Sequence, residues 1–208
     1  FATYLPDSYS AYIGKFCNAF RVFLCKRIFK KCGEIRTINR KVNLGSGRNI
    51  EIGDESGIGA NTHIPSDTII GNNVILSPNC FILHANHKYE RTDIPINDQG
   101  TKNTLQTIID DDCWIGMNTL FTPGRYVRKG TIVAMGSVLT KDFPEYSIVG
   151  GNPAKFIKSR LNDESRVQME NLVKEIFKFL TPVSPLAIGN NASVYTLPLL
   201  YVPFSPNL

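Results

Sequence analysis

Apolar residues recur at every sixth position in two stretches of the chain. The first runs through Ile52, Ile58, Ile64, Ile70, Leu76 and Ile82, the second through Ile109, Ile115, Phe121, Val127, Val133 and Leu139. A second column, mostly small residues, follows four positions later. It comprises Ser56, Thr62, Thr68, Val74 and Cys80, then Cys113, Thr119, Thr131 and Ser137, with Asn86, Arg125 and Phe143 as exceptions. An α-helix repeats about every 3.6 residues, so a period of six is not helical. It suits short extended segments joined by tight turns, with one apolar side chain per hexad pointing inward. Gly53, Gly59 and Gly71 follow their isoleucines and are expected where a turn takes positive φ. Asp54, Asn72 and Asn73 are the accompanying turn formers. No single segment buries enough, so coils must stack on one shared core, which takes about three or more of them. Two blocks of six hexads suffice if three hexads make one triangular coil.

The second block resumes out of step. Ile109 follows Ile82 by 27 positions, which is not a multiple of six, so an excursion must leave the coil. The polar segment from Glu90 to Thr107, with Pro95, Gly100 and Asn103, predicts a protruding loop over about residues 88–107. Long loops on a rigid scaffold often carry function.

Helical spacing occurs outside the repeats. Over residues 8–32, Phe16, Phe20, Phe23, Leu24, Ile28 and Phe29 share it. Lys15, Arg21, Lys26, Arg27, Lys30 and Lys31 add six cations and no acid, and Gly33 is the expected stop. Two roles stand open for such a helix: capping the open end of the solenoid, or lying on an anionic membrane surface. Residues 163–180 read as a second amphipathic helix, capped by Asn162 or Asp163, and 182–208 as a proline-punctuated tail without period. The expected division is 1–41 as a helical cap or membrane-proximal segment, 42–160 as the solenoid, and 161–208 as helix and tail.

Composition narrows the class. A net charge of +5 suits an anionic small ligand or a membrane surface better than dedicated nucleic-acid binding, and no nucleic-acid module is recognisable. Five cysteines with no CxxC pair point to a reduced, cytoplasmic setting, peripheral at most to the membrane. Cys80 and Cys113 fall in the small-residue column and are expected to pack. No apolar run reaches the length of a membrane span, and no signal peptide is evident.

The most specific stretch is Ile109-Asp-Asp-Asp-Cys-Trp-Ile-Gly116. It is followed by Pro123-Gly124, Gly136-Ser-Val-Leu-Thr-Lys-Asp142 and Tyr146-Ser-Ile-Val-Gly-Gly-Asn-Pro-Ala-Lys155. Over residues 42–160 this series resembles the hexapeptide-repeat acetyltransferases. The nearest types are the capsule and lipopolysaccharide and the maltose and galactoside O-acetyltransferases. The resemblance implies a mainly β fold, a left-handed parallel β-helix; general crossover preference would have argued for the other hand. It also implies a homotrimer with acetyl-CoA in the groove between neighbouring subunits.

The candidate chemistry centres on three histidines: His63, His84 and His87. The last two stand at the mouth of the loop, in Leu83-His-Ala-Asn-His-Lys-Tyr-Glu90. An alcohol attacking a thioester needs a nearby proton acceptor that is neutral near pH 7, and imidazole fits. By the resemblance, the general base falls on His87, with His84, Asn86 and Trp114 beside the acceptor. The same resemblance puts acetyl-CoA against Met117, Met135, Thr140, Lys141, Lys155 and Lys158, where cations suit phosphates. The family has smaller residues at Met117 and Met135. Arg125, Tyr126 and Arg128 also depart from its pattern and could narrow the cofactor groove. The segment Asp93-Ile-Pro-Ile-Asn-Asp-Gln-Gly100 resembles a loop of the polysaccharide enzymes and favours a sugar hydroxyl as acceptor. Other acceptors (an aminosugar, a xenobiotic, serine) and a non-catalytic scaffold remain as alternatives. A zinc carbonic anhydrase of this fold needs three converging histidines, and an 18-residue coil stacks His63 on Phe81 instead. No metal is expected.

Overall fold

The computed structural model describes residues 2–161 together with Ser165, Val167, Gln168, Asn171, Leu172, Lys174 and Glu175. Residues 1–165 and 166–208 are separate units. The described residues of the expected 163–180 helix are helical; its caps, Asn162 and Asp163, and the tail over 182–208 lie outside the described residues.

The first unit is a parallel β-solenoid with three faces. Face A stacks β1 (Lys31–Cys32), β3 (Glu51–Ile52), β5 (Ile69–Ile70), β8 (Ile108–Ile109) and β11 (Tyr126–Val127). Face B stacks β2 (Thr37–Ile38), β4 (Gly57–Ile58), β6 (Ile75–Leu76), β9 (Trp114–Ile115), β12 (Ile132–Val133) and β14 (Ser147–Gly150). Antiparallel β15 (Lys155–Ser159) closes face B. Face C carries β7 (Phe81–Ile82), β10 (Leu120–Phe121) and β13 (Val138–Leu139), extended by the Asn43–His63–Phe81 bridges.

All twelve hexad positions are buried, Ile64, Ile82, Ile109 and Ile115 completely. Each such side chain contributes about 1.5–3 kcal/mol of hydrophobic stabilisation. The small-residue column is buried beside them, and its hydroxyls are bonded except that of Thr131, which is buried without a partner. Ser56 Oγ donates to Gly71 O at 2.7 Å and accepts from Val74 N at 2.9 Å. Thr119 and Ser137 donate to Gly116 O and Ala134 O at 2.7 and 2.6 Å. Cys80 and Cys113 are buried free thiols, pushed up to about 11 by burial.

The turns correct one expectation. Left-handed backbone falls three residues after the core position, at Asn61, Asn73, Asn79, Asp112, Asn118 and Gly136 among others; Gly53, Gly59 and Gly71 do not adopt it. Asn and Asp tolerate that region through local side-chain hydrogen bonding. The glycine after the isoleucine is needed for close approach: a Cβ on Gly59 would meet the backbone of Ser77–Pro78 in the next coil.

Two departures from the 18-residue coil hid both ends of the solenoid. Cys32 pairs with Ile52 and Ile38 with Ile58, so the first coil is two residues longer and strands begin at Lys31 rather than after residue 41. At the far end Val133 pairs with Val149 and Val127 bridges Phe143, so that coil is two residues shorter. Phe143 is therefore an apolar-column residue, not an exception to the small-residue column.

The amino-terminal helix differs from expectation in extent. It forms as α1 over Gly14–Ile28, not 8–32. Before it, Asp7 Oδ1 accepts from Tyr9 N, and a Cβ on Gly14 would sit 2.6 Å from Ser8 O, so this segment turns tightly. After it, Lys30 N and Lys31 N donate to Ile50 O, which draws the chain into β1. The buried positions of α1 are Gly14, Cys17, Arg21 and Cys25, whereas Phe16, Phe23 and Ile28 are exposed. Cys25 and Phe29 join the solenoid core, so α1 does cap the open end. No helix among the described residues is long and apolar enough to cross a membrane.

Candidate functional site

The excursion leaves the corner between faces C and A after Leu83 and returns at Ile108. A full coil of 18 residues becomes 39 here, from Ile70 to Ile109, so 21 residues are extra. The loop is pinched at its root: His87 bridges Thr101 in antiparallel fashion, Lys88 N donates to Gly100 O at 3.0 Å, and Lys102 N donates to Asn86 O at 2.8 Å. Beyond the pinch, Lys102 pairs with Glu90 at 2.6 Å, and the contact holds the Glu90 carboxyl down to about 2. Asp93–Gly100 contains a 3₁₀ turn at Ile96–Asp98. The Gln99 side chain staples it, accepting from Arg91 N at 3.0 Å and donating to Arg91 O and Ile94 O at 2.7 and 3.2 Å.

The three histidines take three different environments. His63 stacks on Phe81 with ring centroids 4.4 Å apart, as the 18-residue coil predicts, and burial holds its imidazole below the ordinary value. His84 lies with Nε2 3.2 Å from Asp67 Oδ2 at the loop root. His87 is exposed, and its ring makes no hydrogen bond or ion pair among the described residues. His84 is thus committed to Asp67 and His63 to its stack on Phe81, whereas His87 is exposed at the loop mouth.

The remaining candidates fall into separate groups. Thr140 and Lys141 share the loop's own corner, next to Pro123–Gly124, where Arg125 Nη1 donates to Thr140 O at 2.9 Å. Met117 and Met135 stack at the corner between faces B and C, with Gly136 N donating to Met117 O at 2.8 Å. Trp114 points outward from face B, half exposed, in register through Ile132 and Ile148 with Lys158. Three rungs separate Trp114 from Lys158, roughly 14 Å. Lys155 lies at the start of the same last strand. One chain thus presents His84, Asn86, His87, Thr140 and Lys141 along one edge. Trp114, Met117, Met135, Lys155 and Lys158 lie on another face and corner.

The three bulky departures are held against their own subunit. Arg125 pairs with Asp142 at 3.4 Å, Tyr126 OH donates to Asp110 Oδ2 at 2.7 Å, and the Arg128 guanidinium lies 4.8 Å over the Tyr126 ring. Sequence reasoning missed Asp67, whose Oδ1 is buried without a partner while Oδ2 meets His84. The 18-residue stack carried that signal, because it sets Asp67 beneath Ala85.

Two protein-family models match the solenoid. The model described as "Bacterial transferase hexapeptide (six repeats)" covers residues 49–84, and "Hexapeptide repeat of succinyl-transferase" covers 106–141. A hexapeptide-repeat acetyltransferase from Vibrio cholerae superposes with a TM-score of 0.61 at 25% identity, over 70% of this chain and 82% of that one. The chain carries hexapeptide repeats and is similar to acetyltransferases built on them. The two matched segments flank the excursion, so the loop lies outside the repeats that define the family. The Vibrio protein is also solved with acetyl-CoA bound; that structure gives a TM-score of 0.58 at 26% identity, over 69% of this chain and 78% of that one. A galactoside O-acetyltransferase of Lactococcus lactis is 29% identical over 146 residues, which is 67% of each protein. A Schizosaccharomyces pombe relative is 36% identical over 94 residues, where the chain spans only 44% of that protein's length.

Proposed function

We propose that this hexapeptide-repeat acetyltransferase moves the acetyl group of acetyl-CoA to a hydroxyl of a sugar in surface-polysaccharide biosynthesis, with His87 as general base. The supporting observation is the contrast among the histidines: only His87 is exposed at the loop mouth with an uncommitted imidazole. A ring nitrogen of His87 takes the proton of the acceptor hydroxyl as its oxygen attacks the thioester carbonyl carbon. The carbon–sulfur bond breaks, and the imidazolium returns the proton to the departing thiolate. Among the described residues no cysteine lies in the loop beside His87, and transfer is direct within a ternary complex.

Acetyl-CoA lies against Met117, Met135 and Trp114, with Thr140, Lys141, Lys155 and Lys158 toward its phosphates. The groups lie on different faces of one chain, so the complete site is formed between neighbouring copies in a homotrimer. The exposed Ile75, Phe81, Leu120 and Met135 on faces B and C supply apolar surface for that contact. The galactoside relative supports a sugar acceptor, as does the stapled Asp93–Gly100 turn. The test is CoA release against a panel of galactosides, maltose, nucleotide sugars, lipid-linked glycans, aminosugars, serine and xenobiotic alcohols. Release with a hydroxyl sugar supports the reading. Release only with amines or xenobiotics overturns the acceptor, and no thermal stabilisation by millimolar CoA overturns the transferase itself.

A further inference from the structure

The outward face of α1 has no role in acetyl transfer, and its composition is unusual for a solvated helix. Tyr12, in the turn leading into α1, is 99% exposed; Phe16 is 74% and Phe23 48% exposed. Positions 12, 16, 19 and 23 fall on one helical stripe. Lys15 and Arg27 flank it, and the Arg27 guanidinium stands 3.5 Å from the Phe23 ring centroid; Lys26 is already paired with Glu34 at 2.7 Å. No acidic residue occurs from Ser8 to Gly33.

The orientation of this stripe is held from the opposite side of the helix. Arg21 is buried, and its guanidinium donates to Ile38 O at 2.7 Å, to Leu5 O and Pro6 O at 3.4 and 3.1 Å, and to Ser8 Oγ at 2.8 Å. Turning the aromatics inward would strip a guanidinium of these partners, and hydrogen bonds to charged groups are the costly ones to lose. Burying Phe16 and Phe23 within the monomer is therefore blocked by the same contacts that seat α1. The helix packs on β1 and β2, the first strands of faces A and B, so it covers the end of the solenoid. Copies meeting side by side along the faces leave that end free.

We propose that the Tyr12–Phe16–Phe23 face of α1, with Lys15 and Arg27, docks the protein on an anionic lipid surface. Aromatic rings enter the headgroup boundary, and the cations meet lipid phosphates at its edge. Charge complementarity selects this occupant over a neutral apolar partner: the stripe carries cations on its flanks and no acid. The inference stands independently of the acceptor in the transfer reaction.

The test is co-sedimentation of the whole chain with phosphatidylglycerol–phosphatidylcholine vesicles and, separately, with pure phosphatidylcholine vesicles. Binding is expected to the anionic vesicles, weaker by about tenfold or more on the neutral ones, and lost at high salt. Phe16→Ser with Phe23→Ser, and separately Lys15→Glu with Arg27→Glu, should each lower vesicle affinity about tenfold or more. Both variants should keep the thermal midpoint and CoA-dependent stabilisation of the parent; if the serine variant unfolds, the charge-reversed one decides. Equal pelleting with both lipids, or none with either, overturns the proposal. So does lipid-free self-association that these substitutions abolish, which would assign the face to a second copy of the chain.

Discussion

The stacked coils and the excursion over residues 83–107 are built on opposite principles. In the coils most hexads repeat the same solution: one buried apolar side chain, one small neighbour, one left-handed residue at the corner. Each ladder bond and each core contact is duplicated a rung above and below. In the excursion nothing repeats. A pinch at His87–Thr101, a stapling glutamine, the exposed Glu90–Lys102 and Arg91–Asp93 pairs, and the ties of His84 and Gln106 to Asp67 hold it. The coils commit one or two side chains of each hexad to the core. The loop buries almost nothing and has free side chains to offer.

Substitutions should separate the two regions. The largest stability effect is expected in the core: Ile115→Ala, at a fully buried position, should cost about 2–5 kcal/mol, read by denaturant unfolding. A smaller loss, about 1–3 kcal/mol, is expected for Ser56→Ala, which leaves Val74 N without its acceptor inside the stack. In the loop, Lys102→Ala removes only an exposed ion pair and a contact to Tyr89, and the thermal midpoint should not move measurably. A large loss there would mean that the loop is a structural element of the solenoid.

His63 gives the subtlest test. Burial on the Phe81 ring holds its folded-state value below the unfolded one, so the unfolded chain takes up the proton first. Its contribution is fully present above about pH 6.5 and is lost as the pH falls toward the depressed folded value. Replacing it, His63→Phe, should flatten the fall of the unfolding midpoint with acidification while preserving the stack. An unchanged slope would assign the acid sensitivity to other groups.

The coils were legible in the sequence because their constraint is periodic. Twelve apolar positions and the small-residue column predicted the core, and the 18-residue coil predicted the His63–Phe81 stack and argued against three converging histidines. The ends were not legible, because a two-residue insertion before Glu51 and a two-residue deletion before Phe143 shift the period where it has fewest repeats to show itself. The seating of α1 was not legible for another reason. Spacing reports which residues share a face, but not which face turns inward, and the buried Arg21 decided that through backbone acceptors supplied by Leu5, Pro6 and Ile38. For the site, the broken period placed His84 and His87 at the loop mouth. Which of them is free depended on Asp67, a coil residue whose partner lies 17 positions away.

The most direct test of the account is the turnover of His87→Ala beside its affinity for acetyl-CoA and its thermal midpoint. Turnover should fall by about a hundredfold or more, with acetyl-CoA affinity and midpoint unchanged. Near-normal turnover in the folded variant would contradict it.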